Sequence, residues 1–92
     1  MFTGIVEETG IVDSIQPLDK SMRLTVTMRK CGAGLKVGHS LAINGCCLTV
    51  VKLTTKGRKK TAQFDLLNET WTRTNLQFTR AGSLVNLERS LE

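Results

Sequence analysis

Hydrophobic and polar positions alternate along much of the chain, and the clearest case surrounds Asn44-Gly45. Ser40, Leu41, Ala42 and Ile43 lead into that pair, and Cys46, Cys47, Leu48, Thr49, Val50 and Val51 leave it. Asn-Gly suits a two-residue turn with positive φ at both positions, so the pattern predicts a β-hairpin. Side chains alternate between faces in a strand: Cys47 and Thr49 share one face, and Cys46, Leu48 and Val50 the other. Residues 22–28 repeat the pattern, with Arg23, Thr25 and Thr27 facing one way and Met22, Leu24, Val26 and Met28 the other. In residues 61–67, Ala62, Phe64 and Leu66 oppose Gln63, Asp65 and Leu67, and residues 84–89 predict a last strand. Near the start, Thr3-Gly4-Ile5-Val6 recurs as Thr9-Gly10-Ile11-Val12. The even offset predicts one long first strand with both copies in phase, broken or bulged near Gly10.

Turn signals punctuate these runs. Residues 14–20, with Pro17 and Asp19, predict a turn, and Cys31-Gly32-Ala33-Gly34 breaks regular structure. The second hairpin arm is expected to run through Leu53, and Lys56, Arg58, Lys59 and Lys60 flank Gly57 at a hairpin tip. Residues 68–76 are polar and rich in Thr, which predicts only a short helix with Asn68 as its N-cap. Six short strands fit a closed antiparallel barrel better than an open sheet, because closure removes exposed edges. The expected class is all-β, a barrel with one short helix, forming a single domain over residues 1–92 with no internal linker.

Composition narrows the function. Hydrophobic residues make up 40% and charged residues 23%, ordinary values for a folded chain of 92 residues with one modest core. No apolar run approaches the ~20 residues of a membrane span, and no basic segment precedes an apolar one at the start, so a cytoplasmic protein is expected. Cys31, Cys46 and Cys47 are odd in number and the adjacent pair diverges on a strand, which points to free thiols. With His39 as the only histidine and no Cys-x-x-Cys, no metal site is expected. The net charge of +5 raises nucleic-acid binding, but the basic cluster sits on a hairpin tip, Tyr is absent and the aromatic residues are not interleaved with the basic ones. An oligonucleotide-binding barrel is therefore disfavoured, and no nucleic-acid partner is expected.

A family resemblance carries more. Met1-Phe2-Thr3-Gly4-Ile5-Val6, Asn44-Gly45-Cys46-Cys47-Leu48-Thr49-Val50, Phe64-Asp65-Leu66 with Glu69-Thr70, Thr74-Asn75-Leu76, and Val85-Asn86-Leu87-Glu88-Arg89 extend over nearly the whole chain. In that order and spacing they resemble the N-terminal barrel of the riboflavin synthase family. The non-catalytic lumazine protein of luminous bacteria shares much of the pattern, but Thr3 and Cys46-Cys47 look more like the synthase. The resemblance implies a six-stranded Greek-key barrel that binds 6,7-dimethyl-8-ribityllumazine and riboflavin. The family enzyme carries two such barrels per chain and assembles as a homotrimer, and only one barrel is present here. Its reaction dismutates two lumazines into riboflavin and 5-amino-6-ribitylaminouracil, with no metal or redox cofactor. The alternative is a lumazine or flavin carrier without turnover.

Carried onto this sequence, the resemblance makes Phe2, Thr3 and Cys47 candidates for catalysis. Phe2 would pack near the ring, Thr3 would place a hydroxyl, and Cys47 would help deliver or hold the nucleophile at C7. Gly4, Ile5 and Val6 would form one wall, Cys47, Leu48 and Thr49 the opposite wall, and Ser40 a ring contact. Asp65, Leu66, Leu67, Asn68, Glu69 and Thr70 would close around the ribityl chain. An open apolar patch with Phe2, Ile5, Val6 and Leu66 near it would favour a homodimer of the isolated domain. His39 has the side chain best suited to general-base work near neutral pH. Beside Gly38 a surface imidazole is the commoner outcome, and the resemblance places no catalytic residue there. Trp71 departs from the family pattern, and packs on the barrel wall or serves an interface.

Overall fold

The structure, a computed structural model, describes residues 1–91, so Glu92, the end of the expected domain, lies outside the described residues. Six strands form the barrel: β1 (Glu8–Pro17), β2 (Ser21–Met28), β3 (Ser40–Ile43), β4 (Cys46–Lys56), β5 (Lys59–Leu67) and β6 (Leu84–Arg89). A helix, α1 (Asn68–Arg73), and a 3-10 turn over Asn75–Phe78 separate β5 from β6. The strands close in the order β1-β2-β5-β4-β3-β6, with every neighbouring pair antiparallel. Three hairpin-linked strands (β3, β4, β5) with β2 returning beside β5 give a Greek-key winding.

The alternation predicted from the sequence builds the core. Leu24, Val26 and Met28 of β2, Leu48 and Val50 of β4, Ala62, Phe64 and Leu66 of β5, and Val85 and Leu87 of β6 are buried, while Cys47, Thr49, Asp65 and Leu67 face outward. Asn44 (φ 49°) and Gly45 (φ 81°) make the expected tight turn. The Asn44 side chain ties that turn to β6, its Oδ1 accepting from the Asn86 N–H at 2.7 Å. Trp71 packs half-buried against the core, on the barrel wall. Cys31 is fully buried, and burial, followed by the negative charges of Glu7 and Glu8, pushes its thiol up to about 12.

Four local expectations are corrected. The first Thr-Gly-Ile-Val copy is not strand: β1 begins at Glu8, and the register irregularity falls between Val12 and Ser14 rather than at Gly10. Gly10 is glycine for space, since a Cβ there would lie 2.6 Å from Leu87 Cδ1 and 3.1 Å from the Thr27 carbonyl oxygen. Residues 14–17 remain in β1, paired as far as Pro17 with Met22, because proline is tolerated where a strand ends. The second hairpin arm continues past Leu53 to Lys56, leaving Gly57 and Arg58 as the turn. Asn68 is the first residue of α1 and not its cap; Leu67 holds the cap position without a side-chain hydrogen bond, and the Asn68 N–H is spent on the Lys20 carbonyl at 3.2 Å.

Candidate functional site

The barrel wall splits where β4 meets β5. Their ladder runs from Lys56 opposite Lys59 to Val50 opposite Phe64 and ends there. Beyond it, residues 46–49 are laddered only to β3 and residues 65–67 only to β2. Backbone direction alternates along an antiparallel strand, so each lip can be read residue by residue. The Val50 N–H donates to the His39 carbonyl at 2.9 Å, and the Val50 carbonyl accepts from the Gly38 N–H at 2.8 Å, so Val50 points toward β3. Leu48 and Cys46 follow it, and the intervening Thr49 and Cys47 point their N–H and C=O groups into the split. On β5, the Asn68 N–H bonds to Lys20 on the β2 side. Leu66 and Phe64 therefore share that direction, and Asp65 and Leu67 face the split. Continuing the register of Val50 and Phe64 would set Thr49 opposite Asp65 and Cys47 opposite Leu67.

Four of the expected site residues thus converge with both backbone and outward side chain. Ser40 joins them as the cross-strand partner of Thr49, half-buried at the end of β3. Asn68, Glu69 and Thr70 follow directly on α1. Leu48 and Leu66 stand apart: they are 7% and 2% exposed, so their side chains support the wall from within, and Leu66 adds nothing to an open apolar patch. The Asp65 carboxylate is not free, since Arg23 Nε and Nη2 donate to it at 2.9 and 3.2 Å. That hydrogen-bonded guanidinium holds the Asp65 carboxyl below its ordinary range. Glu69 pairs with Arg73 at 2.9 Å in an exposed pair one helical turn apart.

Phe2, Thr3, Gly4, Ile5 and Val6 lie elsewhere, in the segment before β1. The Glu88 carboxylate accepts from the Thr3 N–H at 2.5 Å, the Thr3 hydroxyl at 2.7 Å and the Gly4 N–H at 3.0 Å. Thr3 and Ile5, with Glu7, Glu88, Arg89, Ser90 and Leu91, line a cleft of about 370 Å³. A second cleft of about 220 Å³ is lined by Ala33, Gly34, Leu35, His39, Ser40, Arg89 and Ser90. The two share Arg89 and Ser90, so Ser40 links the N-terminal segment to the split through β3 and β4. His39 closes a turn, its Nδ1 accepting from the Lys36 N–H at 3.3 Å.

Sequence reasoning missed the roles of Arg23, Glu88, Arg89 and Ser90. Arg23 and Asp65 are 42 residues apart, and only the β2–β5 register pairs them. Glu88 occurred in a recognised block without any sign that the N-terminal segment would cover it. Among the described residues, no three His, Cys, Asp or Glu side chains cluster where they could hold a metal ion.

Comparison with known proteins shows the family of the chain. The family described as lumazine binding domain matches residues 3–90. Riboflavin synthase of Bacillus subtilis is 41% identical over 91 residues, covering 99% of this chain and 40% of that protein. Riboflavin synthase of Mycobacterium tuberculosis is 44% identical over 90 residues, covering 98% of this chain and 43% of that protein. The chain therefore spans less than half the length of these relatives. Among solved structures, LumP complexed with 6,7-dimethyl-8-(1'-D-ribityl) lumazine superposes with a TM-score of 0.82 at 33% identity, over 98% of this chain and 49% of that one. LumP complexed with riboflavin gives 0.82 at 31% identity, over 97% and 46%.

Proposed function

Since the chain belongs to the lumazine-binding domain family, we propose that it binds 6,7-dimethyl-8-ribityllumazine and riboflavin at the split between β4 and β5, as the N-terminal half of a riboflavin synthase. The observation that carries this reading is the pair of strand edges whose Cys47, Thr49, Asp65 and Leu67 backbone groups point into the gap. Such edges alternate donors and acceptors, the pattern that a pyrimidinedione edge matches and that strand-adding ligands use. Leu67 offers apolar surface to the ring, Ser40 and Thr49 offer hydroxyls, and Asn68, Glu69 and Thr70 supply partners for the ribityl hydroxyls. Leu48 and Leu66 keep the wall rigid from the core side.

In the two-barrel enzyme, one lumazine donates a four-carbon unit to the other, and no metal or redox cofactor takes part. The protein's contribution is to hold two rings face to face, and positioning of that kind can contribute up to ~7–11 kcal/mol. The family resemblance assigns Phe2, Thr3 and Cys47 to the reacting ring, with Cys47 exposed on the lip and Phe2 and Thr3 in the segment before β1. Each barrel presents one ligand, so this chain alone is expected to bind without efficient turnover. Exposed Ile5 and Val6 favour a homodimer of the isolated domain, in place of the homotrimer of two-barrel chains. Free Cys31, Cys46 and Cys47 suit a cytoplasmic setting. Among the described residues, no helix is long and apolar enough to cross a membrane.

A second reading, a lumazine or flavin carrier without turnover, is supported by the likeness to LumP; Thr3 and the Cys46-Cys47 pair favour the synthase. Titration of the purified chain with the lumazine and with riboflavin separates these from no binding at all. Both ligands should change fluorescence anisotropy in the micromolar range, and silence from both would refute the site. Formation of riboflavin at the rate of a complete synthase would refute the need for a second barrel, and sedimentation as a monomer at tens of micromolar would refute the dimer.

A further inference from the structure

We propose that Glu88 is a positioning residue: its carboxylate latches residues 2–5 onto β6 and so fixes where Phe2 and Thr3 stand. Residues 1–7 belong to no strand, and the barrel closes without them. Backbone bonds pin this segment at its ends, from the Leu91 N–H to the Met1 carbonyl at 2.6 Å and from the Glu7 N–H to the Leu87 carbonyl at 2.8 Å. Between those anchors, the hydrogen bonds to the barrel among the described residues all end on Glu88: Thr3 N–H and hydroxyl on Oε2, Gly4 N–H on Oε1. The Thr3 hydroxyl also accepts from the Ile5 N–H at 3.1 Å, which extends the latch one residue further.

Two independent features mark a built arrangement. Glu88 is only 8% exposed, and among the described residues no cation pairs with it; its charge is met by N–H and O–H donors alone. Gly4 has φ +83°, and an added Cβ would meet nothing within 4 Å, so glycine is needed there for conformation and not for space. The N–H of that left-handed residue and the N–H of Thr3 before it meet the same carboxylate, one on each oxygen. Only a carboxylate accepts all three bonds. A glutamine keeps one oxygen and sets an amide N–H₂ against a backbone N–H.

The charges around the latch belong to Glu7, which pushes the Glu88 carboxyl up, and to Arg89, which is occupied by Glu7 at 2.8 Å. The Met1 amino group is bound to Ser90 at 2.9 Å, and the β3 partner of Glu88 is the apolar Ala42. The donors, the Thr3 N–H foremost, outweigh burial and the weaker repulsion of Glu7 and hold the Glu88 carboxyl below its ordinary range. That the latch matters to a ligand rests on the function proposed above; that it exists does not.

The test compares the wild-type chain with E88Q and E88D, reading amide exchange and proton shifts at Thr3 and Gly4 without ligand, then riboflavin affinity by fluorescence. In E88Q the two amides should exchange at least tenfold faster, amides of β2 and β5 should keep their protection, and the riboflavin Kd should rise several-fold. E88D should restore part of both. In the wild type, the Thr3 and Gly4 shifts should titrate together in acid, and that titration should vanish in E88Q. Should E88Q fail to fold, the wild-type titration and E88D decide the matter. Unchanged protection and shifts at Thr3 and Gly4 would overturn the latch. Faster exchange with an unchanged riboflavin Kd would overturn its positioning role. A wild type that binds neither ligand would instead overturn the proposed function, with the latch still decided by the exchange data.

Discussion

Leu66 and Leu67 are neighbours on β5 that should fail in opposite ways when each is cut back to alanine. Leu66 is 2% exposed and packs in the barrel core; Leu67 is 66% exposed on the lip of the split. Truncating a buried leucine costs about 2–5 kcal/mol through lost transfer energy and the cavity left behind. A chain of 92 residues has a total stability of only about 5–14 kcal/mol at ~0.05–0.15 kcal/mol per residue. Leu66→Ala should therefore lower the melting midpoint by about 4–8 °C for each kcal/mol, a shift that leaves part of the population unfolded near body temperature. Leu67→Ala should stay within about 0.5 kcal/mol of the wild type. It should instead weaken ligand binding, because three carbons are removed from a surface that the ring would cover in part. At ~0.8 kcal/mol per fully buried methylene, half coverage gives about 1 kcal/mol, or roughly fivefold in Kd. Thermal melts followed by riboflavin titration at a temperature where both variants are folded make the comparison. Equal destabilisation by the two substitutions would refute the register of β5, and an unchanged Kd in Leu67→Ala would refute the split as the ligand wall.

Thr49→Val should weaken riboflavin binding more than His39→Ala, since it removes a hydroxyl from a lip that the bound ligand would desolvate, worth about 0.5–1.5 kcal/mol; titrations of the two folded variants with the reverse order would contradict this. Gly10→Ala should destabilise the barrel by about 1–3 kcal/mol, because the new methyl meets Leu87 Cδ1 at 2.6 Å and backbone at 3.1 Å; an unshifted denaturant midpoint would show that the β1–β6 seam yields freely. In acid, Glu7, Asp65 and Glu88 have folded values below their unfolded ones, so their contribution is complete above the ordinary carboxylate range and is lost as pH falls through the lower folded values. In alkali the sign reverses for Cys31: the unfolded thiol ionises from ~8.5 while the folded one holds its proton to about 12, so stability should fall as pH rises across that interval. Melting midpoints across the pH range check both limbs, and a Cys31→Ala variant should flatten the alkaline one.

The sequence by itself determined the strands whose sides differ. Alternation in residues 22–28, 46–50 and 61–67 is a local signal, because one face must leave water, and Asn44-Gly45 is legible because few residue pairs tolerate positive φ twice. The resemblance then named most residues of the candidate site without showing how they meet. The tertiary structure decided the rest. Only the closed strand order shows that the β4–β5 ladder stops at Val50 and Phe64, which turns Cys47, Thr49, Asp65 and Leu67 into facing edges. Leu48 and Leu66 sat in the same recognised blocks, and the pleat sends them inward. The twin Thr-Gly-Ile-Val copies look alike in the sequence but differ in partners. The second is paired to β2 and β6, while residues of the first hydrogen-bond to a glutamate some 84 positions away. Contacts of that separation leave no periodic trace, because nothing local to either end depends on the other until the barrel has closed.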